Sequence, residues 1–204
     1  MIKKPTRLAY HLKLPNEELI ELADNSSRYY YKKEEIKTHK DGSPKIKNGK
    51  VQIRILFPSK GKLKIIQSRI KHLLAKIELP SNILGGVKKC DNIKNAKVHK
   101  GKKYHFCTDL KDFFPFITNK AVYNTFIQNG FSPDVSSLLT KLTTCNGELP
   151  QGTPTSTHIA NLAFLPTDME IINLCESNKI TYTRYVDDLT FSSQDDFQNT
   201  PNPN

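Results

Sequence analysis

A chain of 204 residues, 37% hydrophobic and 9% aromatic, is long enough for one large or two small cores and fits a soluble globular protein. Its net charge of +11 is unevenly placed: residues 32–103 hold 21 Lys and Arg against 5 Asp and Glu, whereas residues 104–204 hold 5 against 11. No apolar run could cross a bilayer, Met1-Ile2-Lys3-Lys4-Pro5 leads into no secretory leader, and Cys90, Cys107, Cys145 and Cys175 lack Cys-x-x-Cys spacing, which argues against a membrane span, a zinc site and a disulfide framework.

The expectation is therefore a cytoplasmic protein with reduced thiols. Its basic half is expected to face phosphates and its acidic half to concentrate cations, the alternative for the former being a merely solubilising lysine surface.

Residues 15–31 read as a helix, with Pro15-Asn16 opening it, Glu17 and Glu18 suiting its first turn, and Leu19, Ile20, Leu22 and Ala23 as its apolar stripe. Tyr29-Tyr30-Tyr31 closes the segment as packing or as a stacking surface. Residues 45–57 alternate around Asn48-Gly49, which predicts a basic hairpin carrying Lys45, Lys47, Lys50 and Arg54. Leu63, Ile66, Ile70, Leu73 and Leu74 recur at helical period up to Pro80, and Gly85-Gly86 is expected to loosen the chain. A short helix from Asn92 to His99 follows; the lone His72 and His99 read as polar or capping residues, not metal ligands.

Tyr104 to Leu110 reads as a strand that places Asp109 at its end, and the turn Lys100-Gly101-Lys102-Lys103 precedes it. Residues 119–129 predict a helix capped by Thr118, and Ser132-Pro133 opens another. Leu149-Pro150-Gln151-Gly152-Thr153-Pro154 is turn chemistry feeding a long apolar-periodic helix that Pro166 is expected to kink or restart. Residues 180–186 and 189–191 are strand-like on both sides of Asp187-Asp188. Two adjacent carboxylates at a hairpin tip are either an ordinary solvated turn or a site for hard divalent cations, which prefer oxygen ligands. The polar tail from Gln194 to Asn204 reads as disordered.

Three stretches, in order, resemble one family. Cys107-Thr108-Asp109-Leu110-Lys111-Asp112-Phe113-Phe114, Leu149 to Asn161 around Pro150-Gln151-Gly152, and Tyr185-Val186-Asp187-Asp188 are similar to the palm motifs of bacterial reverse transcriptases of the retron and group II intron type. Asn95-Ala96-Lys97-Val98-His99 has the Asn-Ala-x-x-His form that leans towards retrons. The resemblance runs from about Lys45 to Ser193, and one motif alone would be weak.

It implies an α+β fold: the fingers and palm of a right-hand polymerase, with an antiparallel palm sheet backed by helices. The expected division is an N-terminal helical segment (1–36), basic fingers (37–103), a palm (104–193, with the helices of 118–145) and the tail. It also implies an RNA template, a DNA or RNA primer and a deoxynucleoside triphosphate (dNTP) as partners, no membrane, and two Mg²⁺ ions held by Asp109, Asp187, Asp188 and the Leu110 carbonyl.

By the same resemblance Arg54 and Lys47 (or Lys45) take the triphosphate, Phe114 lies beneath the sugar, and Gln151 and Gly152 line the nucleotide. Phe113 is expected to pack, and Lys88, Lys89, Lys102 and Lys103 to contact the template backbone. Phe116, Thr157 and Val186 depart from the family's usual residues, the last from alanine. The later motifs and the helical thumb are not visible, so the chain is expected to be truncated after Ser193, its thumb missing or supplied by a partner polypeptide. A retron enzyme would copy a structured noncoding RNA in antiviral defence. The alternatives are a group II intron or diversity-generating reverse transcriptase, and a truncated non-catalytic RNA-binding relative.

Overall fold

A computed structural model describes residues 2–39 and 41–197. In chain order the elements are α1 (Pro5–Leu12), α2 (Asn16–Asp24), β1 (Lys33–Ile36), β2 (Ile46–Lys47), β3 (Lys50–Val51), β4 (Ile53–Leu56), α3 (Gly61–Leu74) and α4 (Asn92–Val98). There follow β5 (Tyr104–Asp109), α5 (Phe113–Phe116), α6 (Asn119–Gln128), α7 (Pro133–Thr143), α8 (Ser156–Ser177), β6 (Thr181–Tyr185) and β7 (Asp188–Ser193). Helices and antiparallel sheets are mixed, as expected, and they fall into two compact units. One comprises the chain up to His72 with Phe114–Ser156, the other Leu73–Phe113 with the chain from Thr157 on.

The first unit is a helical bundle with a β-ribbon. Its core is Leu8 and Leu12 of α1, Leu19 and Leu22 of α2, Leu63, Ile66 and Ile70 of α3, and Val122, Phe126, Val135, Leu139 and Leu142 of α6 and α7, all buried. Each such side chain contributes about 2 kcal/mol by leaving water. Local chemistry sets the helix starts as expected: the Thr118 hydroxyl accepts from the Ala121 amide at 3.2 Å, the Ser132 hydroxyl from Val135 at 3.4 Å, and Pro133 opens α7.

Three expectations are corrected here. The helix expected over 15–31 stops at Asp24, where the Asn25 side chain donates to the Glu21 carbonyl at 2.9 Å and a 3-10 turn, Ser26–Tyr29, takes over. The hairpin does turn at Asn48 and Gly49, both at positive φ, but β2 and β3 pair over two residues only. β4 then leaves it to pair with β1, Lys33 to Leu56 and Ile36 to Ile53. β1 escapes notice in sequence because Lys33-Glu34-Glu35-Ile36 has no alternation of apolar and polar residues. Of the kink or restart expected at Pro166, the restart is excluded: α8 runs through the proline from Ser156 to Ser177.

The second unit is built on a three-stranded antiparallel sheet in the order β5-β7-β6. Ile172 and Cys175 of α8 pack with Tyr182 and Leu189 of the sheet. Residues 82–85 run alongside β6: the Arg184 amide donates to the Asn82 carbonyl and the Leu84 amide to the Arg184 carbonyl, both at 2.9 Å. α4 docks through His99, whose Nδ1 meets the Ser192 hydroxyl at 2.6 Å and whose Nε2 meets that of Thr183 at 2.7 Å. Burial lowers the imidazole's pKa, so His99 is a neutral bridge between β6 and β7. Among the described residues no helix is long and apolar enough to cross a membrane. The predicted tail lies outside the described residues from 198 on; Gln194 donates to the Gly101 carbonyl at 3.0 Å.

Candidate active site

The register of the sheet decides which acids meet. Asp109, the last residue of β5, stands opposite Asp188, the first residue of β7, so their side chains leave the same face of neighbouring strands. Asp188 also pairs with Tyr185 across the hairpin, leaving Val186 and Asp187 as its two-residue turn. The Leu110 amide donates to the Asp187 carbonyl at 2.9 Å, which ties this turn to the end of β5. Asp109, Leu110, Asp187 and Asp188, separated by nearly eighty positions in the chain, are thus brought to one end of one sheet.

The acids feel one another. Desolvation first, then the negative charges of Asp187 and Asp109, hold the Asp188 carboxyl above its usual range. Among the described residues no three or more His, Cys, Asp and Glu side chains are gathered tightly enough to hold a metal as they stand, in keeping with like charges that repel.

A carboxyl whose pKa is raised by folding binds its proton more tightly folded than unfolded. Its stabilising contribution is complete below the ordinary value of 3.8 and is lost as pH rises through the raised one. Above that window the ionised Asp188 opposes folding. Asp188→Asn is therefore expected to raise the melting temperature by about 1–2 °C at pH 7 in a chelator, a gain that vanishes below the window; equal melting at both pH values would contradict the crowding of charge.

The turn itself is strained. Val186 has φ +62°, a left-handed conformation that costs a β-branched residue roughly 1–3 kcal/mol unless its surroundings hold it there. Gly85 lies against it so closely that a Cβ at Gly85 would stand 2.1 Å from the Val186 amide nitrogen and 2.8 Å from the Tyr185 carbonyl carbon. Gly85 is therefore buried against the turn instead of loosening the chain. Arg184 and Asp168, both fully buried, lie beneath: Arg184 Nε donates to Asp168 Oδ1 at 2.9 Å and Nη2 to Oδ2 at 2.6 Å, while the Tyr182 hydroxyl donates to Oδ1 at 2.7 Å. The Asn161 side chain donates to the Gly85 carbonyl at 2.8 Å. Sequence reasoning passed over these roles of Gly85, Asn161, Asp168 and Arg184. The available signal was an acid, Asp168, close to the apolar run of α8 and a base, Arg184, as the one charged residue of β6, a pair that burial favours only when the two meet.

The remaining expected residues are placed as follows. Phe113 is buried edge-to-face against Phe164, with ring centres 5.6 Å apart, and it packs as expected. Lys88, Lys89 and Lys103 are exposed and Lys102 is half-exposed, all in the second unit. Lys47, Arg54, Phe114, Gln151 and Gly152 belong to the first unit. There Arg54 lines a cleft with Glu35, Lys37 and Lys45, while Lys47 lines another with Lys37 and Lys50. Of the two lysines considered, Lys45 is thus the one beside Arg54. The Phe57 amide donates to the Gln151 carbonyl at 3.0 Å, which joins the Gln151-Gly152 turn to the root of the ribbon.

Comparison with known proteins bears on the same stretches. The model of the reverse transcriptase (RNA-dependent DNA polymerase) family matches residues 40–199. Retron Se72 reverse transcriptase of Salmonella heidelberg (strain 579083-10) is 39% identical over 155 residues, covering 74% of this chain and 41% of that protein. Retron Ec86 reverse transcriptase of Escherichia coli is 34% identical over 144 residues (70% and 45%), and retron Mx65 reverse transcriptase of Myxococcus xanthus 32% identical over 162 residues (70% and 38%). The chain spans about two fifths of the length of these curated relatives. With the acids on β5 and at the head of β7 inside the matched region, the chain belongs to the reverse transcriptase (RNA-dependent DNA polymerase) family.

Proposed function

We propose that this chain carries the nucleotidyl-transfer centre of a retron-type RNA-directed DNA polymerase, with the ribbon unit acting as fingers and the β5-β7-β6 sheet as palm. The observation that supports it is the pairing of Asp109 with Asp188 across β5 and β7, with Asp187 bonded through its backbone to Leu110. Three carboxylates at one sheet end, one of them crowded by the charges of the other two, are the hard oxygen donors that Mg²⁺ prefers, so the donor chemistry fits the metal, with the side chains drawing together on the ion. Asp109, Asp187, Asp188 and the Leu110 carbonyl would hold it, and bound Mg²⁺ would lower the pKa of a primer 3′-hydroxyl and offset charge on the attacked phosphate.

The chain's own groups have distinct parts in this reading. A guanidinium can take two phosphate oxygens at once, so Arg54 grips the triphosphate, with Lys45 beside it in the same cleft and Lys47 in the other. Gly152, exposed and at φ +93°, lets the backbone approach a base, and Gln151 presents an amide beside it. Lys88, Lys89, Lys102 and Lys103 take template phosphates, which gives salt-dependent affinity without sequence preference. The free thiols fit a reducing, cytoplasmic setting.

Incorporation of labelled dNTP on an RNA template with an annealed primer, in Mg²⁺ and in chelator, tests the proposal. Metal-dependent extension supports it. RNA binding without extension in either condition would instead leave a non-catalytic RNA-binding protein. If Phe114 obstructs a 2′-hydroxyl, Phe114→Ala is expected to lower the preference for deoxy- over ribonucleotides by about 10- to 100-fold, the range that a steric contact provides. An active variant with unchanged preference would remove that role.

A further inference from the structure

We propose that Arg184 is a positioning residue for the acidic turn: its guanidinium, anchored on Asp168, holds the Val186 carbonyl and thereby fixes where Asp187 stands. This rests on the reading of Asp187 as part of the catalytic centre.

The geometry is specific. Arg184 Nη1 donates to the Val186 carbonyl at 2.8 Å and to Asn161 Oδ1 at 2.9 Å, while Nε and Nη2 are taken by Asp168. The planar fork lies near the rings of Phe164 and Phe113, 5.2 and 5.8 Å from their centres. Asn161, once engaged by Arg184, donates in turn to the Gly85 carbonyl at 2.8 Å, and Gly85 is the residue pressed against the turn. One buried cation therefore reaches the strained Val186 directly from within the hairpin and indirectly from the opposing segment.

Stability alone does not account for this arrangement. A buried ion pair gains little over two well-packed apolar side chains of similar volume, which avoid desolvating charge. Apolar residues could fill the space but could not donate to the Val186 carbonyl, and it is that carbonyl which a left-handed Val186 turns into the protein. Lysine is a poor substitute, because one ammonium lacks the planar fork that spans Asp168, Asn161 and the carbonyl together.

The test uses Arg184→Met combined with Asp168→Asn, which leaves no unpaired buried charge and keeps an acceptor for Tyr182. Arg184→Lys, which keeps the charge opposite Asp168, provides a second variant should the first not fold. The first readout needs neither metal nor nucleotide: the Leu110 amide, bonded to the Asp187 carbonyl, is expected to exchange its hydrogen at least about tenfold faster in either variant, because local opening rises as the turn loosens. Adding Val186→Gly, which removes the backbone strain, is expected to restore much of that protection. Mn²⁺ affinity, followed by paramagnetic resonance, should fall about tenfold, and kcat for incorporation about 30-fold with KM for dNTP within about twofold, as for a defect in the reacting geometry and not in nucleotide binding.

A folded variant whose Leu110 amide stays as protected as in the wild type overturns the proposal. If the wild type incorporates no nucleotide yet the variants lose Leu110 protection, the positioning role stands and the catalytic reading falls. If the wild type incorporates nucleotide and the substitutions leave Leu110 protection unchanged, the catalytic reading stands and the positioning role falls.

Discussion

Asp187→Asn is expected to abolish Mg²⁺-dependent nucleotide incorporation, by at least about 10³-fold, while leaving the fold and RNA affinity intact. Asparagine has the shape of aspartate but neither its charge nor its second anionic oxygen, so the turn keeps its backbone bond to Leu110 while the proposed centre would lose a hard ligand. A thousandfold corresponds to about 4 kcal/mol of transition-state stabilisation, within the reach of one charged group acting on a phosphoryl-transfer centre. Asp109→Asn should match it, because Asp109 faces the same end of the sheet from the neighbouring strand. Single-turnover extension with matched melting temperatures checks both. Incorporation within tenfold of wild type by a folded Asp187→Asn protein would remove the polymerase reading, whatever the family.

Gly85→Ala is the structural change expected to cost most. An added methyl would sit 2.1 Å from the Val186 nitrogen, 2.7 Å from its Cγ2 and 2.8 Å from the Tyr185 carbonyl carbon, and two of these three atoms are backbone that no rotamer change can move. Either residues 82–85 detach from β6 or the hairpin shifts. A penalty of about 3–5 kcal/mol is expected, which in a chain of this length lowers the melting temperature by roughly 10 °C. Gly101→Ala is the control: Gly101 also has positive φ, +82°, but a Cβ there meets nothing within 4 Å. It should cost about 1 kcal/mol from backbone strain alone. Thermal melts of the two variants side by side separate close approach from glycine's backbone freedom, and equal losses would mean that the contact with Val186 yields easily. Weakened Mg²⁺-dependent incorporation by any folded Gly85→Ala fraction would follow from the displaced turn.

Much of this was legible beforehand, for identifiable reasons. The starts of α6 and α7 were readable because a cap is a bond between residues three apart, and both partners sit in one short window. The hairpin of β6 and β7 was readable from alternation, and three ordered motifs carried the family. Where the reading missed, a distant segment had overridden the local signal. β1 has no apolar alternation and exists because β4 pairs with it. Gly85-Gly86 has the composition of a loose linker, yet it is held between Asn161 and the Val186 turn.

The one-dimensional order of residues determined the chemistry available to this protein: an acid at a strand end, two more at a hairpin, a basic stretch ahead of them and a Pro-Gln-Gly turn between. The tertiary structure decided which acids share a sheet end, that a cation is buried beneath them, and that the valine before Asp187 is held in a left-handed conformation. The division follows from range: caps, turns and alternation are settled by neighbours a few bonds away. Strand register, a buried charge and a backbone pressed against a glycine depend on what arrives from distant parts of the chain, and no local pattern encodes that arrival.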